Sequence, residues 1–231
     1  MIALARFQIS GYLRSLRALP PLIVVILIVT LVLFQGGGAS GSDQAKLAVG
    51  TLGDVPAFMF PVWAWAARGL LDSQPDEQRA LSATALGART SSALAGLLAA
   101  YAINLGLGAI ALGVPVIHAA SSSVSASAIL ACVALNLLVA GAATLLGAWT
   151  SRAIVPAPGT SLLALLGGAT AILVLSLGPG VWLSVPMIDW IKAAHDGPSA
   201  FTDAFPALAG HVLLWTTVVG TAYLLVRRTR A

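Results

Sequence analysis

Six apolar segments follow one another along this chain of 231 residues, and all but the first are close to the length that crosses a lipid bilayer. A transmembrane helix needs about 20 mainly apolar residues. The chain is 58% hydrophobic and 9% charged, whereas soluble domains carry about 25% charged residues. The sequence therefore predicts an all-α polytopic membrane protein. It forms one transmembrane domain over 1–231, with spans near 21–34, 47–70, 92–117, 126–149, 160–177 and 207–226.

The twelve basic residues are distributed very unevenly between the two sides of these spans. Short loops beside spans keep their Lys and Arg in the cytoplasm, because cationic segments resist translocation. With both termini in the cytoplasm, only Lys46 and Lys192 lie outside. The other ten lie inside: Arg6, Arg14, Arg17, Arg68, Arg79, Arg89, Arg152, Arg227, Arg228 and Arg230.

Two segments outside the spans have amphipathic patterns. Residues 1–17 mix three arginines with apolar side chains, which favours a helix in the headgroup plane over a cleaved signal. Residues 178–206 form a long outer segment that contains WLSVPMIDWIKAAH. This pattern predicts a helix over 182–195, partly embedded in the outer leaflet, and a second short helix over 201–205 before Pro206.

The stretch DSQPDEQRALSAT, at 72–84, is the most polar part of the predicted cytoplasmic side. Pro75 begins its helical part, and two acidic residues occupy the first turn, where the helix dipole favours anions. Charge combined with exposed leucines favours docking onto a partner protein over a simple solvated turn. The candidate docking residues are Asp76, Glu77, Gln78, Arg79 and Leu81.

The chain lacks the groups that several common sites require. A phosphate-binding loop needs a Gly-rich turn followed by Lys and Ser or Thr, and neither lysine follows such a turn. Cys132 is alone in an apolar span, so we expect no metal or cofactor in this chain. The basic residues form no stripe interleaved with aromatics, so we expect no nucleic-acid partner. The histidines are far apart in sequence: His118, His195 and His211.

Asp54 is the acidic residue that lies inside a predicted span. An ionisable group at membrane depth is a functional candidate. Gly53 and Pro56 favour a different role, in which the helix breaks and Asp54 caps the broken end. Phe58 and Phe60 follow in the same span, where packing is the alternative to contact with a substrate.

Other polar residues of the spans leave a membrane enzyme open as an alternative. Asn104 and Asn136 are expected to hydrogen-bond between helices. Ser176 and His211 lie at similar depth and would suit an intramembrane serine protease, although a serine in a span usually bonds its own helix. A transferase acting on lipid headgroups would need several Asp residues to hold Mg²⁺, and the spans contain one.

Three segments together resemble a known family. They are GYLRSLRALPP before the first span, LDSQPDEQRALSATALGAR after the proline-bearing second span, and the long outer segment between spans five and six. In this order they resemble the permease subunit of an ABC-2 type (type V fold) ABC transporter, of the short actinobacterial kind.

The resemblance implies six transmembrane helices in a bacterial cell membrane, a second permease chain, and a separate cytoplasmic ATPase subunit that binds ATP and Mg²⁺. It makes 76–86 the coupling helix and 182–205 the short re-entrant helices. The implied function is ATP-driven export of a hydrophobic or amphipathic compound, such as a drug, an antibiotic or a lipid. A membrane-embedded enzyme or a non-transporting scaffold subunit remains the alternative. The candidate residues of the substrate path are Asp54, Phe58, Phe60 and Asn104.

Overall fold

The computed structural model describes residues 1–35, 42–75, 78 and 89–229. Within these ranges the chain forms α-helices joined by short turns, with a single 3₁₀ turn at Val181–Leu183. The helices are α1 (Ile2–Arg14), α2 (Leu19–Gln35), α3 (Ser42–Leu71), α4 (Arg89–Ser121), α5 (Ala126–Trp149), α6 (Pro158–Ser176), α7 (Met187–Asp196) and α8 (Pro198–Thr229).

Five of these helices, α3 to α6 and α8, are long and apolar enough to cross a membrane. A sixth span exists if α1 and α2, which meet at a bend of 77°, are counted as one. The 17 residues of α2 extend roughly 26 Å at 1.5 Å per residue, slightly less than the bilayer core. The prediction of an α-helical polytopic membrane protein is confirmed, with five or six candidate spans.

Helix α3 lies at the centre of the bundle and packs against α4, α5 and α7. Its contact with α5 is close because Gly147 has no side chain: a Cβ there would lie 2.8 Å from the Ala67 Cβ and 2.9 Å from the Arg68 backbone nitrogen. Small residues allow such close backbone approach in membrane bundles, where packing rather than the hydrophobic effect drives association. Trp63 and Trp190 are buried in the same core.

The structure corrects the predicted start and break of the second span. Helix α3 begins at Ser42 and continues through Pro56 and Pro61 to Leu71, so Lys46 is helical rather than part of a loop. Each proline removes one backbone hydrogen bond. The surrounding residues are buried against neighbouring helices, and tertiary packing of this kind holds membrane helices together across prolines.

The predicted short helix at 201–205 is also wrong. Helix α8 begins at Pro198 and runs without a break through Pro206 to Thr229. The residue before Pro198 is Gly197, which separates α7 from α8 and has a φ of 118°, a conformation that favours glycine. Proline is well tolerated in the first turn of a helix, so Pro198 starts α8.

The two ends of the bundle differ in charge. The Asp72 end is where α3 finishes, and Arg68, Arg152 and Arg227 lie there with Asp72. The His195 end is where α3 begins. Among the residues described at this end, carboxylates outnumber the two lysines. The carboxylates are Asp43, Asp54, Asp189, Asp196 and Asp203.

Candidate functional site

A cavity of about 430 Å³ lies between α3, α6 and α7. This volume is within the range of small-molecule sites, about 300–1,000 Å³. Its wall is mostly apolar. The lining residues are Asp54, Ala57, Phe58, Phe60 and Pro61 of α3, Leu166, Ala169, Thr170 and Leu173 of α6, and Met187 and Ile191 of α7.

The side chains of Asp54 and His195 are hydrogen-bonded to each other beside this cavity. The His195 Nε2 lies 3.0 Å from one carboxylate oxygen of Asp54 and 3.1 Å from the other. When the carboxylate is ionised it can only accept hydrogen bonds, and Nε2 then carries the hydrogen. The side chains are 22% exposed for Asp54 and 50% exposed for His195. The carboxylate is therefore accessible as well as paired.

Two glycines of α3 bring His195 to Asp54. A Cβ on Gly50 would lie 3.0 Å from the His195 Nδ1, so the imidazole ring rests on this glycine. A Cβ on Gly53 would overlap the Ala194 methyl group. The sequence GTLGD thus leaves room for α7 against α3 and places the carboxylate directly beside the contact.

The amphipathic pattern of α7 fixes which of its faces meets α3. Trp190 and Ala194 are buried, whereas Asp189, Lys192 and His195 are exposed. Burying the apolar side of the helix leaves the charged side in the more polar surroundings. His195 lies at the border of the two faces, from which its ring can reach Asp54.

Two buried serines hold α7 and the turn before it onto α6. The Ser184 hydroxyl donates to the Ile172 carbonyl at 2.7 Å. The Ser176 hydroxyl accepts from the Ile188 backbone N–H at 2.9 Å. These bonds satisfy backbone groups where α6 ends and α7 begins. Ser176, considered above as a protease nucleophile, thus connects two helices in this structure.

The cavity brings together three of the four candidate residues of the substrate path. Asp54 lies in the middle of a continuous helix, so its predicted role as the cap of a broken helix is wrong. Phe58 is 47% exposed, whereas Phe60 is buried, although both line the cavity. The fourth candidate, Asn104, lies elsewhere.

Asn104 is fully buried between α4 and α5, where its Nδ2 donates to the Thr144 Oγ1 at 2.9 Å. This is the interhelical hydrogen bond that the sequence predicted for Asn104. The same prediction is wrong for Asn136, whose Nδ2 donates to the Cys132 carbonyl within its own helix at 2.9 Å.

Most of the predicted coupling segment lies outside the described residues: this holds for Asp76, Glu77, Arg79 and Leu81. Gln78 is described, and it is helical and half-buried.

The predicted coupling segment covers 72–86, and its first residue, Asp72, lies within the described part of the chain. Asp72 accepts from the Arg152 backbone N–H at 2.8 Å, and one of its oxygens lies 3.7 Å from the Arg68 Nε. The end of α3 is thereby joined to the turn between α5 and α6.

Arg68 extends this connection to α6, which the sequence did not predict. Its Nε donates to the Ser161 Oγ at 2.6 Å, and its Nη2 lies 3.3 Å from the Pro158 carbonyl. Ser161 in turn donates to the Thr150 carbonyl. The sequence did show an arginine in the last turn of a span. It could not show the partner of this arginine, because Ser161 is more than ninety positions away.

The fold defines a polytopic α-helical membrane protein with a small-molecule-sized cavity. No family model, curated protein or solved structure matches the chain. Across the part of the chain that the structure describes, no three His, Cys, Asp or Glu side chains are grouped as metal ligands would be.

Proposed function

We propose that this protein is the membrane-spanning permease subunit of an ATP-driven transporter of the ABC-2 type. It exports a hydrophobic or amphipathic compound across a bacterial plasma membrane, with both termini in the cytoplasm. A separate ATPase subunit binds ATP and Mg²⁺, and a second permease chain completes the path.

The observation that carries this proposal is the cavity between α3 and α6. In the permease family that the chain resembles, the substrate path commonly involves spans two and five. These spans correspond to α3 and α6 when α1 and α2 are counted together as the first span. The cavity is lined by apolar side chains and by one accessible carboxylate. Such a mostly apolar lining suits a transported compound, because it offers contacts to an apolar ligand with few hydrogen bonds that would slow its release.

The contacts at the Asp72 end supply a route from the partner ATPase to this cavity. The coupling segment, 72–86, begins with Asp72, which is hydrogen-bonded to the turn before α6. Arg68 links the same region to Ser161 in the first turn of α6. Leu166 and Leu173, further along α6, line the cavity. A displacement of the coupling segment would therefore move a wall of the substrate path.

The test is co-purification of the full chain from its native membrane, with mass spectrometry of the bound proteins. We expect a subunit with a Walker-type nucleotide site. The second step reverses the charges of the coupling segment, with Glu77→Arg and Arg79→Glu combined. Because docking then meets like charges, ATPase activity should no longer respond to the membrane subunit.

The matched control reverses an acid–base pair at the opposite end of the bundle, with Asp189→Lys and Lys192→Glu combined. Both side chains are exposed on α7, so ATPase coupling should stay at the wild-type level. Absence of any bound ATPase would contradict the transport proposal. Unchanged coupling in the Glu77 and Arg79 variant would contradict the docking assignment.

A further inference from the structure

We infer that the cavity between α3, α6 and α7 accepts a lipophilic organic cation, with its positive charge at Asp54 and its apolar body between α3 and α6. This inference rests on the proposed transport function, for which it names the class of compound carried.

The wall of the cavity selects for an apolar body. Among its lining residues, only Asp54 and Thr170 have polar side chains. A ligand with several polar groups would lose hydrogen bonds to water and find few replacements there. Leu166, Leu173 and Ile191 offer apolar surface instead, and the volume of about 430 Å³ suits a molecule of small-drug size.

The charge at the rim selects for a cation. Asp54 is the charged residue that lines the cavity, and part of its side chain is exposed. An anion would be repelled, whereas a cation gains a favourable contact in a region of reduced dielectric constant.

His195 does not exclude such a ligand. A carboxylate has about four positions at which it accepts hydrogen bonds, and His195 approaches Asp54 through one nitrogen, Nε2. The remaining positions can face the cavity. Phe58, which is half exposed on the same wall, adds an aromatic ring that can attract a cation.

The experiment compares two probes of similar size and shape and opposite charge, tetraphenylphosphonium and tetraphenylborate. The full chain, together with any subunit that co-purifies, is reconstituted in lipid nanodiscs. Binding of radiolabelled tetraphenylphosphonium is then measured with each variant. Binding of radiolabelled tetraphenylborate is measured in separate samples, because the two ions pair with each other in one solution. We expect saturable binding of tetraphenylphosphonium and no saturable binding of tetraphenylborate.

Two variants test the site in different ways. Asp54→Asn removes the charge at nearly constant size, and we expect the affinity for tetraphenylphosphonium to fall about tenfold. Leu173→Trp keeps the charge but fills the cavity, and we expect binding to be lost. Asp189→Asn is the matched control, since it removes an exposed carboxylate of α7 outside the cavity, and it should bind like the wild type.

Wild-type affinity in both Asp54→Asn and Leu173→Trp would overturn the inference, as would equal binding of the two probes. If a bound ATPase is found while either result is obtained, the transport function stands and the class of compound is wrong. If tetraphenylphosphonium binds through Asp54 but no ATPase is bound, the cation site stands and the transport function fails.

Discussion

Gly53 of α3 lies so close to Ala194 of α7 that a Cβ on Gly53 would overlap the Ala194 methyl group. This contact determines how near α7 can come to α3. The next residue along α3 is Asp54, which is hydrogen-bonded to His195, the next residue along α7. One close approach therefore positions both the carboxylate and the imidazole beside the cavity.

Gly53→Ala should destabilise the protein and separate α7 from α3. Overpacking of this kind lowers the free energy of unfolding by about 1–3 kcal/mol. The measurements are unfolding in detergent and hydrogen exchange of α7, which should become faster. Gly106→Ala is the control, because a Cβ at Gly106 meets nothing within 4 Å. Equal stability of the two variants would show that α7 does not pack as described.

Arg68→Lys should loosen the first turn of α6 from α3. Lysine cannot reproduce the two-pronged contact of the guanidinium with Ser161 and the Pro158 carbonyl. We expect faster hydrogen exchange at the start of α6 and weaker coupling to the partner ATPase. In the control, Arg152→Lys, the contact with Asp72 is made by the backbone N–H and should persist. Faster exchange in the control alone would contradict the role of Arg68.

Asn104 and Thr144 should be energetically coupled. A double-mutant cycle with Asn104→Ala and Thr144→Val should give a coupling free energy of about 0.6 kcal/mol, the average for such bonds within membranes. The comparison cycle pairs Asn136→Ala with Thr144→Val. Because Asn136 bonds within its own helix, its coupling to Thr144 should be near zero. A larger value for Asn136 than for Asn104 would contradict the described hydrogen bonds.

Cysteine labelling should place the two ends of the bundle on opposite sides of the membrane. In a background with the buried Cys132 replaced by Ala, a cysteine at Arg152 should react with a membrane-impermeant reagent only from the cytoplasmic side. A cysteine at Asp189 should react only from outside. Labelling of both positions from the same side would contradict the proposed topology.

Periodicity and composition predicted the helices well where a helix ends at a polar turn. The span over 126–149 coincides with α5, Ala126–Trp149, because Ser125 caps its start and polar residues follow its end. Proline was the misleading signal. Pro56 and Pro206 suggested breaks, but both lie inside continuous helices, since packing against neighbours outweighs the loss of one hydrogen bond.

The apolar composition by itself indicated a membrane protein, because a chain with so few charged residues cannot cover a water-facing surface. The length of the apolar segments indicated that the spans are helices. The sequence also identified Asp54 as an unusual residue at membrane depth. Only the tertiary structure paired Asp54 with His195, 141 positions away, and placed both beside a cavity between α3, α6 and α7. Helical periodicity reports which face of each helix is apolar, but not which helix covers it. The close packing of α7 against α3 at Gly50 and Gly53 determines that α3 covers the apolar face of α7.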